Sequence, residues 1–487
     1  MAPGAPDQPW IPETTATGEI VPGSNSVTLP SSPGKHFVLP PNTEAARLSD
    51  PQPIDGKHAY TLPELVDIAE KSNPTTKIAW NAARNVALAK GIAESTFLPR
   101  LTASAITGRQ SIDGGNSVDG FNLGNQNTTL NGTISAVSME WLLFDFGERA
   151  AIVRAADQAS VISNVAFTAA HQQVIYEVST AFYAYAASRE RLKTAIQSLR
   201  NAQSVQAAAE DRYRHGIGTV VESSQALQAT AQARLVQVQA DGSAKDGYLK
   251  LISAMGISPL TRIRIADISN RRLSPPMYGP IKQTVEMAIA RRPDILSAYA
   301  AQKAALANID AARAAFMPKV FLAGNAAHAT GDLNVTAIPS VGQQLPTVNI
   351  SGGQNSGTIL AGVTVPLFDG GTRLAALKQA EANAENAGLA LLKTQNEAVR
   401  QIVLSDNALR TSLSAYTASV ALNAAAQTTF NAALDAYRNG VGSITNATLS
   451  QSQLLLANNA RADAYSTSLS AAATLALAVG ALGDAPR

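Results

Sequence analysis

Few residues of this chain are placed to do chemistry. The five histidines (His36, His58, His171, His215 and His328) lie far apart, and none has a spacing that would hold a metal. Cysteine is absent, so there are no disulfides, thiol nucleophiles or thiolate metal sites. A glycine-rich stretch, Gly352-Gly353 to Gly357, precedes a strand rather than opening a helix and lacks Gly-Lys-Ser/Thr, so it predicts a surface loop and no phosphate cradle. No Ser/His/Asp constellation is visible. No catalytic residue, metal or cofactor is expected, and any energy must come from a partner. The residues that stand out are paired glycines behind Tyr-Arg: Tyr213-Arg214 before Gly216 and Gly218, and Tyr437-Arg438 before Gly440 and Gly442. Glycine accepts the positive φ that a tight helix reversal needs, so both sites predict sharp turns.

The two turns are copies. Tyr213, Arg214, Gly216 and Gly218 map onto the second set at an offset of 437 − 213 = 224, and the same offset carries Leu143-Phe144-Asp145 onto Leu367-Phe368-Asp369, Gly147 and Arg149 onto Gly371 and Arg373, and Gly256 onto Gly480. Upstream, Phe97-Leu98-Pro99-Arg100 matches Phe316-Met317-Pro318-Lys319, and Pro74 matches Pro293, at 316 − 97 = 219. The five-residue difference lies between those motifs, in a segment that tolerates length change. A tandem duplication implies one structural unit used twice.

The elements positioning the turns follow from local signals. Residues 1–58 carry so many prolines that they predict an extended arm. Thr61 with Glu64 is a capping box opening a first helix along Leu62, Leu65, Ile68 and Ala69. Asn73-Pro74 starts a second helix to about Ser95. Strands follow at about 100–108 and 129–143, with a Gly/Asn/Asp loop at about 111–128 between them. From 148 to about 213 no proline interrupts a helix of ~100 Å at ~1.5 Å per residue, and the chain returns from 219 to about 255. Asp145 and Asp369, just ahead of the long helices, are placed to cap them. The repeats span 59–256 and 281–482, with helical hairpins at about 146–255 and 370–480 and a linker at 257–280; a tail occupies 483–487. The second repeat predicts strands at about 319–329 and 358–367 around a loop at 330–357, and His328 at a strand end faces that loop.

Lys and Arg nearly balance Asp and Glu, at a formal net charge of +2, so no nucleic acid or other strongly charged partner is implied. Only 5% of residues are aromatic, which favours thin helices packed through small side chains. The longest apolar stretch, 471–482, falls short of the ~20 residues of a membrane helix. The strands do have the roughly 9–11 residues that cross a bilayer at a tilt, so any spanning must be by a closed β-barrel. Four strands cannot close alone, which calls for several copies about an axis.

The duplicated Phe-Asp-x-Gly junction, the Tyr-Arg-x-Gly-x-Gly turn, the Asn-Pro and Arg292-Pro293-Asp294 helix openings and the Phe-x-Pro exits together resemble the TolC-like outer-membrane efflux proteins over residues 60–482. The resemblance implies a mainly α fold with a membrane β-barrel: two tandem repeats of helix-helix-strand-strand-long helix-helix. It implies a homotrimer with a 12-stranded β-barrel continued by a 12-helix periplasmic α-barrel, and an equatorial belt that includes the linker. Function by resemblance is a passive exit duct for drugs or other toxic small molecules, set in outer-membrane lipid of a Gram-negative cell and extending into the periplasm. Its partners would be a periplasmic membrane-fusion adaptor and an inner-membrane pump, either a proton-driven transporter or an ABC transporter. The eight turn residues would form the periplasmic tip where the adaptor docks. Glu222, Asn446 and Leu449 are the constriction candidates, since relatives carry gating aspartates at the places of Asn446 and Leu449; alternatively Glu222 is a solvated helix residue. The loops at 111–128 and 330–357 would face the exterior. The opening Met-Ala-Pro-Gly-Ala-Pro lacks the basic and apolar regions of an export signal, so the chain is expected to be the mature or a recombinant form. Two alternatives remain: the duct of a type I protein secretion system, and a flagellin-like structural filament protein, which the duplication and the strands count against.

Overall fold

The computed structural model describes residues 10, 12–22, 37, 39–47, 54–118, 121–268, 273, 281–331, 335–337, 348–350 and 355–482 of the chain. In order they form β1 (Ala59–Tyr60), α1 (Leu62–Ser72), α2 (Pro74–Ser95), β2 (Arg100–Val118), β3 (Phe121–Phe144), α3 (Glu148–Arg214), α4 (Val220–Ala254) and β4 (Arg264–Ile265). The second half gives α5 (Ile281–Ile289), α6 (Pro293–Ala314), β5 (Lys319–Gly331), β6 (Val335–Ala337), β7 (Val348–Ile350), β8 (Asn355–Thr364), α7 (Thr372–Arg438) and α8 (Ile444–Ala478). Both α3 and α7 have 67 residues, and at ~1.5 Å per residue each is ~100 Å long.

Helix starts sit where the local chemistry puts them. The Glu64 carboxylate accepts from the Thr61 backbone N–H at 2.7 Å and from its hydroxyl at 2.7 Å. The backbone bond first, then the hydroxyl, lowers the Glu64 pKa to about 2. Asn73 accepts from Thr75 N–H at 2.9 Å, and its amide donates to the Ala254 carbonyl at 3.0 Å, tying the start of α2 to the end of α4. Arg292 does the same in the second repeat, donating from Nη1 to the Ala478 carbonyl at 2.7 Å.

Around the middle of α3 lies an apolar cluster in which Leu65 of α1, Val178 and Phe182 of α3, Leu251 and Ile252 at the end of α4 and Leu469 of α8 are buried together with Ile257 and Ile263 of the linker. There β1 and β4 pair in parallel. No helix among the described residues is long and apolar enough to cross a membrane.

The main sheet is antiparallel in the order β2-β3-β5-β8. β2 and β8 are its edges, each paired on one side only. Register sorts the faces. Leu101, Met139, Gly324 and Ile359 stand side by side, and Trp141, Leu322 and Ala361 continue that apolar face. The opposite face carries the row Thr102, Ser138, Asn325 and Thr358, with Ser104 and Ser356 one row on.

Four sequence expectations are corrected here. The segment 111–128 is not a free loop: β2 and β3 stay paired out to Val118 and Phe121. Its Gly, Asn and Asp residues are poor strand formers, but backbone pairing continues because the ladder already fixes the register. Within 330–357, β6 pairs with β7, and residues 332–334, 338–347 and 351–354, Gly352-Gly353 among them, lie outside the description. β8 ends at Thr364 and not at 367. His328 lies inside β5 rather than facing a loop, with its Nδ1 2.8 Å from Asn355 Oδ1 of β8.

Candidate functional site: the two hairpin tips

Both long hairpins reverse through one local design. At the first tip the N–H groups of Ile217 and Gly218 both donate to the Arg212 carbonyl, at 3.0 Å each; at the second, Val441 and Gly442 donate to the Ala436 carbonyl at 3.0 Å each. Gly216 and Gly440 have φ of 70° and 79°, which a side chain disfavours. Gly218 and Gly442 do not share that conformation, contrary to the sequence expectation; they are required by space. A Cβ on Gly218 would lie 2.9 Å from the Tyr213 nitrogen, and one on Gly442 3.0 Å from the Ala436 carbonyl carbon. The next helices are capped at once: Thr219 Oγ1 accepts from Glu222 N–H at 3.2 Å, and Ser443 Oγ from Asn446 N–H at 3.2 Å.

The two tips nevertheless differ in surroundings. Tyr437 is fully buried, whereas Tyr213 is 51% exposed. Tyr437 sits in a cluster with Val205 and Ala209 of α3, Ala226 of α4, and Phe430, Leu434, Ile444 and Ala447 of the second hairpin. Burial pushes its hydroxyl pKa up, the nearby Glu222 charge adds to that, and Arg212 opposes it. The Arg212 guanidinium lies 5.3 Å from the centre of the Tyr437 ring. Arg214 and Arg438 are exposed and pair with Asp211 (3.2 Å) and Asp435 (4.0 Å) of their own helices. At the apices Ile217 and Val441 are 66% and 84% exposed.

Glu222 is half-buried. Its carboxylate accepts from the Thr219 N–H at 3.3 Å, closing a capping box, so it serves the helix start. Asn446 and Leu449 are exposed and line one groove with Thr429 and Ala433 of α7. The structure therefore gathers Tyr437, Glu222 and both turns at one end, leaves Tyr213, Arg214 and Arg438 on the surface, and adds Arg212. That residue was legible only by comparing repeats: the offset of 224 places Ala436 opposite it.

At the other end of α3 and α7, strand turns into helix through Asp145 and Asp369. Asp145 accepts from Gly147 N–H (3.2 Å) and Arg149 N–H (3.0 Å), and Asp369 from Gly371 N–H (3.1 Å) and Arg373 N–H (3.1 Å). The predicted capping is therefore present twice. In the first repeat the Arg149 side chain also donates to Asp145 at 2.7 Å and to the Thr96 carbonyl at 2.8 Å, beneath the Phe97 ring. Among the described residues no group of three or more His, Asp or Glu could hold a metal.

Comparison with known proteins agrees with this geometry. Protein CyaE of Bordetella pertussis is 28% identical over 338 residues, 69% of this chain and 66% of that protein. Outer membrane protein OprJ of Pseudomonas aeruginosa is 29% identical over 264 residues, 54% of this chain and 52% of OprJ. The chain thus spans between about half and two-thirds of the length of these curated relatives. A crystal structure of a membrane protein from Pseudomonas aeruginosa superposes with a TM-score of 0.72 at 26% identity, covering 86% of this chain and 93% of that one. The model of the family described as outer membrane efflux protein matches residues 65–257 and 284–481, both repeats in turn. The chain belongs to the outer membrane efflux protein family.

Proposed function

We propose that three copies of this chain form an outer-membrane channel that serves as the passive exit duct of a tripartite efflux pump for toxic small molecules. The observation that carries the reading is the open, two-faced sheet. Among the described residues its edges β2 and β8 have no partner strand on their outer sides, and lipid does not tolerate open edges. Three copies give 3 × 4 = 12 strands, with the Leu101–Ile359 face toward lipid and the Ser138–Asn325 face toward the lumen.

The helices support the same closure. α6 lies between α3 and α7 of its own chain, whereas its repeat counterpart α2 packs on α3 and leaves Ile78, Leu88 and Ile92 exposed. α3 packs along α8, and the corresponding partner for α7 is α4 of a neighbouring copy. The tips are assigned to the periplasmic end, where an adaptor docks on the apices Ile217 and Val441. The channel needs a partner pump for energy.

In mild detergent the particle is expected to have a protein mass of about 3 × 50.6 kDa by light scattering. A stable monomer would remove the barrel. A threefold ring of Glu222 should favour cations, so Glu222→Gln is expected to lower cation preference in planar-bilayer conductance. Because glutamine can keep much of the helix cap, unchanged selectivity would leave Glu222 with capping as its sole role.

A further inference from the structure

Near the middle of α3, far from both the turns and the sheet, tyrosines and cations gather around a cavity of about 160 Å³. It lies between α3, α7 and α8, beneath the linker at β4. Tyr185 of α3, Tyr416 of α7 and Tyr465 of α8 form aromatic walls, and the Tyr416 and Tyr465 rings are 5.5 Å apart. Arg189, Lys193 and Arg461 also line it, and all three are exposed, so they stand on its solvent side. Against these three cations the lining sets two carboxylates, Glu190 and Asp267, which leaves one net positive charge. Glu190 lies 3.4 Å from Lys193, whereas Arg461 donates to the neutral Asn423 Oδ1 at 3.3 Å. Among the described residues no hydrogen bond reaches the hydroxyls of Tyr185 and Tyr416. Burial pushes the Tyr185 pKa up, which keeps that hydroxyl a neutral donor.

The duplication does not repeat this chemistry. At the offset of 224, Tyr185, Arg189 and Lys193 correspond to Leu409, Leu413 and Thr417, and Tyr416, Arg461 and Tyr465 to Leu192, Gln237 and Asp241. Every tyrosine and every cation of the set is absent from the counterpart positions. The linker, which joins the repeats and so occurs once, supplies the roof: Arg189 Nη1 donates to the Ile265 carbonyl at 3.2 Å, and the Tyr465 hydroxyl to the Ile268 carbonyl at 2.8 Å. We infer that this cavity binds a small aromatic carboxylate, with its ring among the tyrosines and its carboxylate toward Arg189 and Arg461. The size suits one ring, since an apolar cavity of about 150 Å³ admits benzene. Ring faces favour aromatic partners, and guanidinium groups at an open side favour a carboxylate. Apolar walls with a few convergent polar groups are the usual make-up of a small-molecule site. All of these residues belong to one chain, so the inference stands or falls separately from the trimeric duct.

The test titrates para-fluorobenzoate into the full chain in mild detergent and follows the probe by fluorine NMR. Saturable broadening is expected, together with a rise in the thermal midpoint, because a ligand held under the linker stabilises the folded state. Para-fluorobenzyl alcohol, which keeps the ring and loses the charge, should bind about tenfold more weakly or worse, and para-fluorobenzylamine should not bind. Arg461→Gln and Tyr416→Leu, one at the solvent side and one in a wall, are each expected to weaken binding of the carboxylate by a similar factor. Leu192→Ala and Gln237→Ala, at the counterpart positions, should leave it unchanged. Circular dichroism of each variant confirms that it is folded, and the exposed Arg461→Gln keeps the test open if Tyr416→Leu does not fold. Broadening that never saturates, or that equals that of empty micelles, shows partition into detergent and overturns the inference. So does binding that survives both cavity variants, or an amine that binds as well as the carboxylate.

Discussion

Gly440→Val is expected to give trimers of normal yield and mass in the outer membrane, together with hypersensitivity to toxic compounds in a strain without other exit ducts. Gly440 has φ of 79°, where a β-branched residue is strained by ~1–3 kcal/mol. The new side chain would also begin 3.1 Å from Arg212 Nη1, displacing the group that spans the two turns. The sheet stands at the other end of the ~100 Å helices, so assembly of the barrel should not register the change. Antibiotic susceptibility beside an immunoblot of unboiled trimers separates the two effects. Full resistance in Gly440→Val would refute a role for this turn in docking or opening; missing trimers would place the turn in assembly instead. Gly218→Ala is a useful companion, because its cost comes from crowding against the Tyr213 nitrogen rather than from φ.

The second large effect is expected at the opposite end. Arg149→Ala should destabilise the chain by ~3–5 kcal/mol, because it leaves the Asp145 carboxylate buried without its cation. The two side chains are 9% and 6% exposed, and Arg149 also satisfies the Thr96 carbonyl. The matching pair in the second repeat, Arg373 and Asp369, is 3.4 Å apart and 24% and 27% exposed in the single chain. Arg373→Ala should accordingly cost only ~0–1 kcal/mol there. Arg149→Lys keeps the charge but not the fork that serves Asp145 and Thr96 together, and should fall between. Denaturant midpoints of the detergent-solubilised protein provide the measurement. Equal losses for Arg149→Ala and Arg373→Ala would show that burial in the single chain does not set the worth of these junctions.

Local signals carried much of the architecture. The Thr61–Glu64 box, the prolines at 74 and 293 and the glycines at 147 and 371 mark helix starts found within a residue or two of the expected places. Each of these acts through its own backbone: a missing N–H, a φ only glycine takes easily, a side chain reaching two or three residues on. The strands were less legible. The stretch 111–128 is written in turn formers, yet its backbone pairs along most of its length, because strand pairing depends on a partner distant in sequence.

By itself, then, the sequence determined the duplication, the two reversals and the long uninterrupted helices, since repeats, proline spacing and paired glycines are properties of the chain alone. Only the tertiary structure decided that two copies of one motif would not be equivalent. Tyr213 and Tyr437 share their neighbours in sequence, but α3 and α8 close over Tyr437, while among the described residues no element of the same chain closes over Tyr213. Arg149 and Arg373 differ in the same way. Burial, and with it the strength of a charge pair or the reach of Arg212, is set by which element lies alongside, and that follows from packing rather than from local sequence.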